Sequence, residues 1–167
     1  PYRRQRQMCI RDRFVVSLTT IRVSPEDFSV DAEVARVREA SPSAGAVVSF
    51  VGVVRNRNDG AAVSKMTLEH YPGMTEKALG KIVEKARERF HLEDVVVIHR
   101  VGDLSVGDQI VLCLVSASHR GEAFEGCEYI MDWLKTEAPF WKRETTPEGE
   151  RWVDARESDD RAKARWG

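Results

Sequence analysis

Three cysteines in 167 residues are too few and too scattered to organise this chain. Cys9, Cys113 and Cys127 show no metal-type spacing and are odd in number, which argues against a zinc site and against a disulfide framework. Cys113 falls in an apolar strand pattern and Cys127 on the apolar side of a helix. Both are read as reduced core residues of a cytoplasmic protein. No apolar run approaches the roughly 20 residues of a membrane span, so no membrane partner is expected. The net charge is only −1, which leaves no global pull toward nucleic acid or an anionic surface. Gly-x-Gly-x-x-Gly, a Walker loop, His-Glu-x-x-His, Cys-x-x-Cys and a nucleophile-elbow serine are all missing. Any anion site must therefore be local, built from cations at the ends of elements.

What is present is a core. Hydrophobic residues make up 42% of the chain, and the length suits one domain. Residues 1–13 are basic and lack apolar periodicity, so they are read as a disordered or non-native leader. The domain proper is expected over 14–155, with a mobile charged tail over 156–167.

Patterning predicts strands over Phe14 to Val23, Ala46 to Val54, Val63 to Tyr71, Val95 to Val101 and Gln109 to Ala117. Ala46 to Val54 is apolar at nearly every position, the mark of a strand covered on both faces. Val63 to Tyr71 alternates and is expected to pair with it as a hairpin through the polar loop Arg55 to Gly60. A short helix follows Ser29, with Val30, Val34 and Val37 on one side. Two long helices are expected. Met74 to Phe90 carries an apolar stripe of Met74, Ala78, Ile82, Ala86 and Phe90, and Glu122 to Ala138 turns Ala123, Cys127, Ile130, Met131 and Leu134 inward. Gly102 to Asp108 reads as a connection. Thr146-Pro-Glu-Gly149 reads as the turn of a C-terminal hairpin. The class is α+β with mostly antiparallel strands.

The chemistry-bearing stretch is Ile130 to Arg143. Lys135 lies in the last turn of the second long helix, Pro139 stops it, and Lys142 and Arg143 follow. From spacing alone Lys135 is either a solvated lysine favoured by the helix C-terminus, or an amine held beside apolar Trp133 or Phe140. Lys142 and Arg143 are either edge charges or anion ligands, and alternation along a strand points only one of them into a pocket. His119 and Arg120 close a strand and open a helix, where free N–H groups attract anions; the same stretch reads equally as a plain N-cap at Ser118 with His119 a hydrogen-bonded structural residue. Arg55 and Arg57 sit on a loop. His70 reads as a satisfied, half-buried imidazole.

Longer words carry a resemblance. Leu68-Glu-His-Tyr-Pro-Gly-Met-Thr-Glu-Lys-Ala78, Ile98-His-Arg-Val-Gly102 and Ser118-His-Arg-Gly-Glu-Ala-Phe124 resemble signatures of the large subunit of molybdopterin synthase, the MoaE family. So do Leu134-Lys-Thr-Glu-Ala-Pro-Phe-Trp-Lys-Arg-Glu144 and Pro147-Glu-Gly-Glu-Arg-Trp-Val153. The resemblance runs from about Phe14 to the end of the chain. It implies an α/β hammerhead fold and a homodimer flanked by a small ubiquitin-like sulfur-carrier subunit (MoaD type) at each end, a heterotetramer. It implies a sulfurtransferase: two sulfurs pass from the carrier's thiocarboxylated C-terminus to cyclic pyranopterin monophosphate (precursor Z), giving the dithiolene of molybdopterin. Neither metal nor cofactor is implied. Residue by residue, it assigns Lys135 and Lys142 to catalysis, and Arg55, His119, Arg120 and Arg143 to the substrate, with Arg55 expected from the neighbouring protomer. Two other readings are a non-catalytic dimeric scaffold that docks a ubiquitin-like tail, and RNA or phosphate-backbone binding through the Arg55 loop and the leader. The near-neutral net charge speaks against the second.

Overall fold

The computed structural model describes residues 17–153 and 157–167. The expected leader lies outside the described residues. Among the described residues ten strands and four helices follow in the order β1 (Thr19–Ser24), α1 (Val30–Ala40), β2 (Ala46–Val53), β3 (Arg57–Asn58), β4 (Ala61–Ala62), β5 (Lys65–His70), α2 (Met74–Phe90), β6 (Val95–Arg100), β7 (Gly102–Ser105), β8 (Gln109–Ala117), α3 (Arg120–Glu137), β9 (Phe140–Thr146), β10 (Gly149–Val153) and α4 (Glu157–Ala164).

The first sheet has the order β1-β6-β8-β2. Its β1–β6 pair is parallel and the rest antiparallel. Period-two alternation gives β6 and β8 two apolar faces. Val95, Val97, Val111, Cys113 and Val115 pack under α2 and α3. Val96, Ile98, Leu112 and Leu114 face the other way, onto Val37 of α1 and Phe28 just before it. The sheet is thus sandwiched between helices, which is why these strands read as continuous apolar runs. Ser29 caps α1, its side chain accepting from the Ala32 N–H at 3.2 Å. Glu76 returns to accept from the Gly73 N–H at 2.7 Å, fixing the start of α2.

The second sheet, β10-β9-β5-β7, is antiparallel throughout and covers a smaller core of Val54, Met66, Leu68 and Leu104. Here the structure corrects the expected hairpin. β5 pairs with β9 and β7, whereas β2 pairs with β8. A register shift at Gly52/Val53 ends the β2 ladder, and the Arg55 loop folds on itself as the β3–β4 ribbon. The chain then enters a different sheet. β7 likewise lies where only a connection was expected. In α2 the buried stripe is Thr75, Leu79, Ile82, Val83, Ala86 and Phe90, while Met74 is exposed. Within the segment expected as a mobile charged tail lies α4. Trp166 just beyond it stacks edge-on against Phe90 and Tyr129, at 5.6 and 5.5 Å. Among the described residues no helix is long and apolar enough to cross a membrane.

Gly45 brings the start of β2 against the strand-to-helix junction at Ser118. Its N–H donates to the Ala117 carbonyl at 3.0 Å, and a Cβ on Gly45 would overlap the Ser118 backbone carbonyl. Backbone cannot yield as a side chain can. Gly45→Ala is therefore expected to destabilise the fold by about 2 kcal/mol or more, read as a lower urea midpoint.

Candidate active site

The end of β2, the Arg55 loop, the last turn of α3 and the inner face of β9 enclose a cavity of about 540 Å³. Part of its wall is apolar, formed by Val51, Val53, Met66, Leu68, Leu134 and Phe140. The charged lining is Arg55, Arg57, Lys135 and Lys142, set against Glu144 and Asp159. Asn58 and His99 are the neutral hydrogen-bonding side chains of the wall. Among the described residues cations outnumber acids four to two, so the hollow favours an anion even though the chain is nearly neutral.

Each cation is placed by a local rule. α3 stops because Pro139 cannot continue it, and Ala138 is already extended. Lys135 therefore stands in the final turn, where unpaired carbonyls favour a positive charge. β9 begins at once, and its pleat sends Phe140, Lys142 and Glu144 to the cavity side. Trp141 and Arg143 go to the opposite face. Arg143 lies 5.6 Å over the Trp152 ring and 3.7 Å from Glu150, and it does not line the cavity.

Glu144, which the sequence reading passed over, holds the polar side together. It is 3% exposed. Its Oε1 accepts from Asn58 Nδ2 at 2.8 Å and lies 3.4 Å from Lys142 Nζ. Its Oε2 accepts from Arg151 Nη2 at 3.2 Å, and the same nitrogen donates to the Asn58 carbonyl at 2.9 Å. Asn58 Oδ1 in turn accepts from Arg55 Nη2 at 3.3 Å. One buried carboxylate thus ties the Arg55 loop to Lys142. The sequence signal was its position two residues after Lys142 on one strand, hence on the same face.

His99 was quoted only as part of a motif. It follows four apolar residues, Val95 to Ile98, on β6, and is 5% exposed. Its ring stacks on Phe140, with centroids 3.8 Å apart and planes 17° from parallel. Burial pushes its pKa down to about 4; the hydrogen bond to the Arg100 carbonyl opposes this, while Lys135 and His70 reinforce it. His70 itself departs from expectation. It is half-buried, and its Nδ1 is enclosed without a hydrogen-bond partner among the described residues.

The other expected site residues are not gathered in one chain. His119 and Arg120 are exposed at the start of α3. They stand roughly 22 Å along the helix from Lys135, at about 1.5 Å per residue. Arg55, by contrast, shares its cavity with Lys135 and Lys142 without help from a neighbour. Nor is Lys135 desolvated by Trp133: Lys135 is exposed, and Trp133 lies between Lys85 and Lys163, whose ammonium groups are each 5.1 Å from its ring.

The family model described as MoaE protein matches residues 23–137. The chain belongs to the MoaE family. It is 61% identical over 150 residues to the molybdopterin synthase catalytic subunit of Ralstonia nicotianae, covering 90% of this chain and 85% of that protein. Identity to the subunit of the same name from Escherichia coli is 57% over 148 residues, 89% of this chain and 98% of that one. In three dimensions it is similar to the molybdopterin biosynthesis MoaE protein of Burkholderia ambifaria. The TM-score is 0.78 and the identity 57%, over 90% of this chain and 99% of that one. The MoaE fold expected from the motifs is thus the fold observed, with the strand pairings corrected above.

Proposed function

We propose that this MoaE-family chain is the catalytic subunit of a molybdopterin synthase. It moves two sulfurs from the thiocarboxylated C-terminus of a small ubiquitin-like subunit to cyclic pyranopterin monophosphate. The observation that carries this reading is the cavity, apolar along one wall and cationic where Arg55, Lys135 and Lys142 meet. An extended glycine-rich tail can lie along the apolar wall and present its sulfur at the cationic end. A cyclic phosphate is anionic, and sulfur addition to the pterin side chain builds an enolate-like charge. Fixed ammonium and guanidinium groups stabilise both without reorganising. Lys135 is the group assigned to proton transfer during addition and loss of water, and Lys142, steadied by Glu144, to charge stabilisation. Buried reduced thiols at Cys113 and Cys127 suit a cytoplasmic setting.

His119 and Arg120 enter this scheme from a second copy of the chain. A homodimer that sets the start of one α3 beside the cavity of the other supplies the remaining substrate cations. Arg143, on the outer face of β9, joins the substrate set only if that second copy or the carrier subunit brings ligand to it.

The test uses the thiocarboxylated carrier, the cyclic pyranopterin monophosphate and two variants, Lys135→Ala and Arg120→Ala. Each alone is expected to be inactive. Mixed and allowed to exchange subunits, they should regain dithiolene formation, because a hybrid dimer holds one complete site. Persistent inactivity in a mixture shown to contain hybrid dimers would remove the shared site.

A further inference from the structure

His99 sits in the cavity wall and has no assigned task in the scheme above. Its Nδ1 lies 2.7 Å from the Arg100 carbonyl oxygen. A carbonyl only accepts, so the ring proton is on Nδ1 and Nε2 carries the lone pair. The stack on Phe140 fixes the plane of the ring, and the carbonyl fixes its rotation. The direction of that lone pair is therefore set before any ligand arrives.

The surroundings explain why such an acceptor has value. Arg55, Arg57, Lys135 and Lys142 donate and cannot accept. Of the two carboxylates in the lining, Asp159 stands on α4 and Glu144 is committed to Asn58, Lys142 and Arg151, while Asn58 uses its amide on Glu144 and its oxygen on Arg55. A further carboxylate at this point would neutralise the cations that the anion needs. A neutral imidazole accepts a hydrogen bond and leaves their charge intact. Burial keeps it neutral, with Lys135 from α3 and His70 from β5 working in the same direction.

We propose that His99 is a ligand-orienting residue, whose Nε2 accepts a hydrogen bond from an N–H or O–H group of the molecule bound in the cavity. The inference deepens the function proposed above and rests on it. Two bound species present such donors: the pterin, through its ring N–H and amino groups, and the carrier tail, through its peptide N–H groups.

His99→Phe preserves an aromatic ring against Phe140 and removes the acceptor. With full-length protein, thiocarboxylated carrier and cyclic pyranopterin monophosphate, it is expected to leave the melting transition near that of the wild type. If the pterin supplies the donor, KM for the pterin rises by about ten-fold, since a buried donor is left unpaired. If the tail does, carrier binding weakens by about the same factor while KM for the pterin holds. Values of KM, kcat and carrier affinity all within about two-fold of wild type would overturn the proposal. A second measurement stands if the variant does not fold. In ¹⁵N-labelled wild-type protein the His99 ring should be neutral with the proton on Nδ1 near neutral pH, and its Nε2 resonance should move when the pterin or the carrier is added. An Nε2 signal unmoved by saturating amounts of both sinks it. A wild-type protein that binds but makes no product defeats the enzymatic reading instead, and the ring titration still decides the role of His99.

Discussion

Lys135→Ala is expected to lower dithiolene formation by about 10²–10³-fold or more, with the fold intact. The side chain is exposed at the end of α3, so its removal leaves no core void. What it removes is a titratable cation at the end of the apolar wall, where the sulfur-bearing tail is proposed to stop. Lys135→Arg divides the possible roles. Arginine keeps the charge and gives up no proton at any working pH. Substantial activity in Lys135→Arg assigns the residue to electrostatic anchoring; an arginine variant as dead as the alanine one assigns it to proton transfer. Single-turnover assays with the pterin and thiocarboxylated carrier make the measurement, beside a thermal melt. Near-normal turnover by Lys135→Ala would falsify its place in the mechanism.

Glu144→Ala should damage stability and activity together. Three donors, Asn58 Nδ2, Lys142 Nζ and Arg151 Nη2, converge on this carboxylate, and it is nearly enclosed. Removing one member of such a cluster leaves uncompensated polar groups, at a cost of about 3 kcal/mol. Glu144→Gln keeps the shape and loses the charge, and should cost less than half of that in urea unfolding. Both variants should still raise KM for the pterin. Lys142 would no longer be held, and the Arg55 loop would lose its tie through Asn58. A Glu144→Gln protein with unchanged KM would show that the network is structural only.

The long helices were legible because buried positions recur every three or four residues over four turns. The Ile82, Ala86 and Phe90 part of the α2 stripe stands in the structure. The alternation in β5 was legible too, but its partner was not. Proximity in sequence favoured β2, whereas Met66 and Leu68 belong to a core that β9 and β7 close from far along the chain. Pairing depends on which cores meet, and period alone carries no record of that. In the site, the two lysines and Arg55 were legible as cations at element ends, and the pleat was enough to say that only one of Lys142 and Arg143 faces inward. Glu144 was not, because an acid beside two cations on a strand looks like ordinary surface charge until a sheet is folded over it. His119 and Arg120 stand at the wrong end of α3 for a single chain, a separation that their nearness in sequence to the helix concealed.

The division of β9 between two faces sets a limit on how this protein can change. Its inward positions hold an amine and its counter-ion; its outward positions hold Trp141 and Arg143. Substitutions at the outward positions alter the opposite face, where Arg143 meets Trp152 and Glu150. An inserted or deleted residue between Pro139 and Lys142 is different, because every side chain beyond it changes sides. The tryptophan or the guanidinium would then occupy the hollow and the amine would face water. The span from the helix stop to Lys142 is therefore fixed in length more tightly than in composition, and drift in this segment should proceed by replacement, not by gain or loss.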